Sequence, residues 1–307
     1  MAVELPSLND HALIYHAKLF AAAHFKQLPT NKLPSFSKGW VYRFRKRPGI
    51  YSIRKHGEVA SVSASNVVDG HVDMRKLTNM YPLQDIYNRD ETSFFYRADC
   101  SRTLSSNRKV AGVKADKTRV TMAVATNADG SDKLPLLFIG KAENPRAFKN
   151  HNVVEEFGVE YTNSKKARMN GGIFKDWLRT LDLRMGLEKR RILLLVDNVS
   201  SHMRPPVALW NVRLEFLPKN TTSMLQPLDQ GIIACVKRSF SRIKVEDSID
   251  RYVAGLPQQI ISIRTAMDWA SRAWNDVTPT IIGNCWVHSS IIPRPDAPMS
   301  MRQILCF

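Results

Sequence analysis

Near the start of the chain, apolar side chains recur with helical spacing. From Asn9 to His24, Leu13, Ala17, Phe20 and Ala21 fall at i, i+4, i+7 and i+8, one stripe of an amphipathic helix. Polar residues from Gln27 to Lys32, and then Pro34, interrupt it. A second helix is predicted from a Ser35 or Ser37 cap to Arg47, where Pro48-Gly49 stops it. Its Phe36, Trp40 and Phe44 are four apart and would face the first helix. Lys38, Tyr42 and Arg45 lie on the opposite side, with Arg43, Lys46 and Arg47 nearby. Two short helices with a basic face on the second suit a helix-turn-helix whose second helix enters the major groove. An ordinary helical pair with a solvated basic face fits the same pattern.

Residues 55–80 are poor in large apolar side chains and rich in Ser, Val, Asp and Asn, the composition of a linker. From Pro82 the pattern turns to strands. Ile86-Tyr87 lead into Asn88-Arg89-Asp90-Glu91. Val120 to Thr126 turns through Asn127-Ala128-Asp129-Gly130 into Leu134 to Ile139, a predicted hairpin. Phe174, Trp177, Leu178 and Leu181 mark a helix. Arg191 to Val196 is a continuous apolar strand ending at Asp197, and Val212 to Leu217 is another. Gln226 to Val245 follows as a helix with Leu228, Ile232, Val236 and Phe240 on one stripe. Three strands, a helix, two strands and a helix describe an α/β domain with a mixed sheet. The expected division is 1–60, a small all-α DNA-binding segment; 61–80, a linker; 81–290, a catalytic domain; and 291–307, a tail.

The 307 residues, 44% hydrophobic, suffice for a real core. No apolar run approaches a membrane span, and the N-terminus, with Glu4, Asp10 and several histidines, lacks the pattern of a signal peptide. An intracellular protein with no membrane partner is expected. Cys100, Cys235, Cys285 and Cys306 form no C-x-x-C pair, so neither a disulfide framework nor a zinc-finger spacing is visible. The net charge of +17 favours a polyanionic partner, nucleic acid foremost. Ten Lys and Arg against three Asp and Glu crowd the first 60 residues, so the basic excess is densest there.

Three aspartates stand where such a sheet can gather them. Asp90 is expected at the end of the first strand, Asp197 at the end of the apolar strand and Asp229 near the start of the late helix. Converging carboxylates need a cation among them, and oxygen-only ligands suit Mg²⁺ or Mn²⁺. Two such ions about 3.5–4 Å apart serve phosphodiester transfer. Taken alone, three aspartates in a chain with this many acids are a weak signal that favours a surface or structural explanation.

Their neighbours carry a resemblance. The pieces are Asn88-Arg89-Asp90-Glu91-Thr92, Lys117-Thr118-Arg119-Val120-Thr121, Asn127-Ala128-Asp129-Gly130 with Lys133-Leu134-Pro135, and Ile139-Gly140-Lys141-Ala142 with Pro145-Arg146. Further on come Leu194-Leu195-Val196-Asp197-Asn198 with His202, Leu217-Pro218-Lys219-Asn220-Thr221-Thr222, Leu225-Gln226-Pro227-Leu228-Asp229-Gln230-Gly231, and Thr280-Ile281 with Asn284-Cys285-Trp286. In this order, across residues 82–290, the chain resembles the DDE superfamily endonucleases of the pogo/Tigger group of transposases, which also contains centromere protein B and the jerky proteins. Ser37-Lys38-Gly39-Trp40, Arg43-Phe44, Lys46-Arg47 and His56-Gly57-Glu58-Val59-Ala60-Ser61 resemble that group's second helix-turn-helix, of the centromere-protein-B type.

The resemblance implies an RNase H-like mixed sheet with flanking helices behind a partial helix-turn-helix. It implies catalytic and metal-ligand roles for Asp90, Asp197 and Asp229, with Mg²⁺ or Mn²⁺ as cofactor. It also implies that Lys38, Tyr42, Arg43, Arg45, Lys46 and Arg47 contact double-stranded DNA in the nucleus, and it leaves homodimerisation open. His202 is open between a substrate-orienting and a structural role. Glu91, next to Asp90 on a strand, should point to the other face. Two departures stand out. Family members carry another helix-turn-helix upstream, which predicts a truncated or decayed DNA reader here, and Arg89 stands where the family commonly has Met, adding a charge beside Asp90. The expected activity is metal-dependent strand cleavage and transfer; a domesticated or decayed, non-catalytic, sequence-specific DNA-binding protein is the alternative.

Overall fold

The computed structural model describes residues 10–27, 32–46, 64–98, 116–198, 208–218, 221–257 and 259–292. The chain falls into two compact units, Met1–Gly57 and Glu58–Phe307.

In the first unit, α1 (Asp10–His24) and α2 (Lys38–Lys46) are the two helices that apolar spacing predicts. Ser37 starts α2: its hydroxyl oxygen accepts the Trp40 amide at 3.3 Å, satisfying one of the free N–H groups of the first turn. The aromatic stripe of α2 is continuous, with Phe36 edge-on to Trp40 at 5.0 Å and Trp40 stacked on Phe44 at 5.2 Å. Together with Phe20 and Ala21 it lines an apolar hollow of about 690 Å³, so the stripe does face α1. Phe20 and Phe44 nonetheless remain 59% and 40% exposed. Arg47, the Pro48-Gly49 stop and His56–Ser61 lie outside the described residues.

The second unit is built on six strands: β1 (Ile86–Phe94), β2 (Val120–Asn127), β3 (Leu137–Gly140), β4 (Glu160–Asn163), β5 (Ile192–Val196) and β6 (Val212–Phe216), in the order β4-β3-β2-β1-β5-β6. β1 pairs antiparallel with β2 and parallel with β5; β2–β3 is the expected hairpin; β3–β4 and β5–β6 are parallel. The sheet is therefore mixed, as expected. Its hairpin turn requires Gly130: φ is +74°, and a Cβ there would lie 2.6 Å from the Pro279 Cα.

Strand alternation sorts the core into two layers. Ile86, Phe94, Leu193 and Leu195 face one side, where they join Leu228, Ile232, Val236, Phe240, Trp274 and Trp286. That layer is covered by α7 (Ile232–Val253), α8 (Ile263–Asn275) and α9 (Pro279–His288), after the short α4 (Val153–Phe157), α5 (Gly171–Leu187) and α6 (Thr222–Leu225). Tyr87, Ile192, Leu194 and Val196 face the other side, against Phe174, Leu178, Leu181 and Met185 of α5. β5 is buried along its whole length because parallel strands flank it and helices cover both its faces, which is why it reads as an unbroken apolar run.

Two elements differ from the sequence expectation. Residues 61–80, linker-like in composition, contain α3 (Ala64–Thr78). It is held by contacts that apolar content does not reveal. Gly70 lets it approach Leu225 and Pro218 closely, the Arg75 Nε donates to the Ser290 carbonyl at 2.6 Å, and the Thr78 hydroxyl donates to the Ile291 carbonyl at 2.6 Å. Ile291 and Ile292, the first residues of the expected tail, are themselves buried. The expected helix from Gln226 to Val245 is also split. Pro227–Gln230 forms a 3₁₀ turn, Gly231 at φ +139° redirects the chain, and only then does α7 begin.

Arg89 corrects a further expectation. Its guanidinium is buried on the α5 side of the sheet, 4.3 Å from the Trp177 ring centre and 5.2 Å from that of Phe174, and it pairs with Glu91. Positions 89 and 91 share a face that position 90 does not, so this charge points away from Asp90. Removing one member of a buried ion pair strands the other. Glu91→Ala should cost about 3 kcal/mol in urea denaturation, and Arg89→Met in the same chain should recover most of that loss. Equal costs for the single and double variants would contradict the pairing.

Candidate active site

Asp90 lies in the middle of β1, not at its end, because β1 runs on to Phe94 beside β2. The neighbour that ends is β5. The last β1–β5 pair is Arg89 with Val196, so Asp90 and Asp197 are the next residues on each side, where the ladder opens. Both continue the alternating rows of the α7 side, 86, 88, 90 and 193, 195, 197. Asp229 reaches the same place from the 3₁₀ turn before α7, anchored by the fully buried Leu228 next to it.

One side chain connects the three carriers. Asn88, fully buried and two residues before Asp90, donates from Nδ2 to the Leu195 carbonyl at 2.9 Å, two residues before Asp197. Its Oδ1 accepts the Leu228 amide at 3.1 Å, one residue before Asp229. Each half of the amide is thus used within two residues of an aspartate.

The carboxylates act on one another. Asp90 is 8% exposed, and burial pushes its carboxyl well above the ordinary range, helped by the charges of Asp229, Glu91 and Asp197. The Glu91 amide, donating to Asp90 Oδ1 at 2.7 Å, acts in the opposite direction. Asp229 is open to solvent by surface area, yet partial burial of its carboxyl and the charge of Asp197 raise it too. A hydrogen bond with Asp90 and the Lys237 charge oppose that rise. Lys237, half-buried on α7, donates to the Thr92 hydroxyl at 2.5 Å; burial lowers its ammonium, and Asp229 and Asp90 support it. Among the described residues no three His, Cys, Asp or Glu side chains stand close enough to grip an ion as they are. The three aspartates are near enough for their charges to act on one another.

Asn88 and Lys237 are the residues that motif reading did not single out. Asn88 appeared only as a motif letter, and Lys237 only as one more cation on a basic chain. Other motif positions prove structural. Lys133 donates to the carbonyls of Trp274, Asn275 and Val277 at the end of α8, the Trp274 indole donates to the Leu134 carbonyl, and Trp286 is fully buried. His202, Lys219 and Asn220 lie outside the described residues. In the first unit, Lys38, Tyr42, Arg43 and Lys46 are exposed along α2 and Arg45 is half-buried.

The chain matches the family model for DDE superfamily endonuclease over residues 117–286, which include Asp197 and Asp229, while Asp90 lies upstream of the match. Residues 6–54 match the Tc5 transposase DNA-binding domain. The chain is 31% identical over 280 residues to CENP-B homolog protein 2 of Schizosaccharomyces pombe, covering 87% of this chain and 53% of that protein. It is 31% identical over 250 residues to mouse Tigger transposable element-derived protein 4, covering 80% and 47%. It is 29% identical over 286 residues to the human Jerky protein homolog, covering 89% and 49%. The chain thus spans about half the length of these relatives. The fold is similar to that in the crystal structure of the Mos1 strand transfer complex, with a TM-score of 0.50 at 14% identity, covering 94% of this chain and 77% of that one. With the family model spanning more than half its length and a mixed sheet of the RNase H-like kind beneath it, the chain belongs to the DDE superfamily endonucleases, among relatives of the pogo/Tigger transposase group.

Proposed function

We propose that this is a transposon-derived DNA-binding protein whose larger unit binds Mg²⁺ or Mn²⁺ on Asp90, Asp197 and Asp229 and cleaves and transfers DNA strands. Residues 1–60 would form the DNA-reading segment, using Lys38, Tyr42, Arg43, Arg45, Lys46 and Arg47, and residues 81–290 the catalytic domain. A nuclear location follows from double-stranded DNA as partner.

What supports the reading is that the charges of Asp90, Asp197 and Asp229 act on one another where β1 and β5 part, with Asp90 and Asp229 both held above the ordinary range. The donor set is oxygen only and suits a hard divalent cation. When bound, such ions stabilise the negative charge that develops on a phosphodiester under attack. The chain's own contribution is placement. Asn88 holds the β1, β5 and Asp229 segments in register, and the sheet keeps the Arg89–Glu91 pair on its far side. A second reading, a DNA-binding protein without catalysis, draws on the absence of a ready ion-gripping cluster among the described residues.

A nicking assay in Mg²⁺ or Mn²⁺ on plasmid DNA carrying the repeats that flank the gene separates the two. Wild type should nick, and Asp90→Ala, Asp197→Ala and Asp229→Ala should each lose most of the rate, with losses that do not add. Activity surviving in any of the three sinks the assignment. A wild type that binds DNA but never nicks establishes the non-catalytic reading.

Stability gives a second test, without metal. A carboxyl raised in the folded state binds more protons there than in the unfolded chain. Stability therefore falls as pH climbs from the ordinary carboxylate value, about 4, through the folded value, and the penalty is complete above it. In EDTA at pH 7, Asp90→Asn should raise Tm by about 2–4 °C, equivalent to about 1 kcal/mol for a domain of this size, and flatten the decline with pH. A lower Tm with an unchanged pH slope would contradict the crowding of the three acids.

A further inference from the structure

We propose that Lys237 and the cavity beside it form a subsite for a phosphodiester of the DNA strand that enters the aspartate site. The proposal rests on the DNA reading above and extends it to a residue outside the acidic set.

Placement comes first. Lys237 sits on α7 between Val236 and Phe240, both buried in the core, so its stem is held against β1. Thr92, which receives its ammonium, is two residues beyond Asp90 and on the same face. The cation therefore stands one step along β1 from the acids. An ammonium has three donors. One goes to Thr92, and among the described residues no carboxylate lies within the 4.0 Å of an ion pair. Two other half-buried lysines have their ammonium groups on backbone carbonyls: Lys133 donates to three and Lys244 to those of Arg97 and Ala98. Lys237 has been partly desolvated with Asp229 and Asp90 supporting it from beyond ion-pair distance, so that donors of its ammonium remain for a ligand.

The space for that ligand adjoins it. A cavity of about 220 Å³ has Ser93, Phe95, Lys237, Phe240, Ser241 and Lys244 among its lining residues. A water occupies about 30 Å³, so the cavity admits a phosphate with part of its sugar. Phe95, 45% exposed, offers an apolar surface of the kind on which sugars and bases rest. The partner must also approach three carboxylates, and a strand whose scissile bond lies there carries its neighbouring phosphates past this point. Lys237 supplies positive charge beside the acids for that strand.

The test uses the full chain in EDTA, so that it does not depend on metal. Anisotropy of a labelled short duplex is followed across salt concentrations for wild type, Lys237→Met, which keeps the stem, and Lys237→Arg, which keeps the charge. Lys237→Met should weaken binding several-fold at low salt and lower the slope of log affinity against log salt by about 0.9, the value of one phosphate contact, and Lys237→Arg should restore both. An unchanged slope in Lys237→Met, or an equal loss in Lys237→Arg, overturns the subsite while leaving the DNA reading standing. Wild type that binds no duplex overturns both. Inorganic phosphate at matched ionic strength should compete poorly; competition that works in wild type and vanishes in Lys237→Met would assign the subsite to a free oxyanion and overturn the DNA assignment.

Discussion

The candidate site depends on one buried amide. Three aspartates on three separate segments have no reason to stay together, since like charges repel and burial penalises the carboxylates of Asp90 and Asp229. Asn88 sets their spacing by bonding to the chain beside two of them while sitting two residues from the third. Because it is fully buried, losing either hydrogen bond would leave an unsatisfied group, which costs about 1–3 kcal/mol. That penalty makes the junction of β1, β5 and the Asp229 turn resistant to small displacements.

The sheet then keeps the Arg89 charge apart from the aspartates. On the α7 side stand the acids and Lys237; on the α5 side Arg89 is enclosed by Phe174 and Trp177 and paired with Glu91. Adjacent residues of one strand thereby take opposite roles. Were Arg89 on the acid side, it would compensate the carboxylates and weaken their demand for an external cation. Alternation along β1 leaves that demand in place and gives Lys237, which is close and has no ion pair among the described residues, a position from which to meet an incoming anion.

Much of this was legible in the sequence. β5 showed as an apolar run because both its faces are covered, the β2–β3 hairpin through its Asn, Asp and Gly turn, and α5 through apolar spacing. The three aspartates were found because ordered motifs surround them. Other features left no local trace. β4 is a partly exposed edge strand of four residues without alternation, and α3 is docked through a glycine and bonds to backbone carbonyls. The split before α7 depends on what Pro227 and Gly231 do together. The role of Asn88 could not be read at all, since its partners lie 107 and 140 residues away and an asparagine in a strand looks the same with or without them. α8 is a different case: its buried Ala266, Met267, Ala270, Ala273 and Trp274 carry a clear helical period that the pattern reading passed over.

The proposed metal site requires that the Asn88 amide hold the three segments where a divalent ion can draw their aspartates together. Titration of the full chain with Mn²⁺, followed by electron paramagnetic resonance, measures that directly and requires neither DNA nor turnover. Asn88→Ala should remain folded, with its far-ultraviolet circular dichroism unchanged, and bind Mn²⁺ at least about tenfold more weakly than wild type, a difference of about 1.4 kcal/mol. Wild-type Mn²⁺ affinity in a folded Asn88→Ala protein would contradict the account.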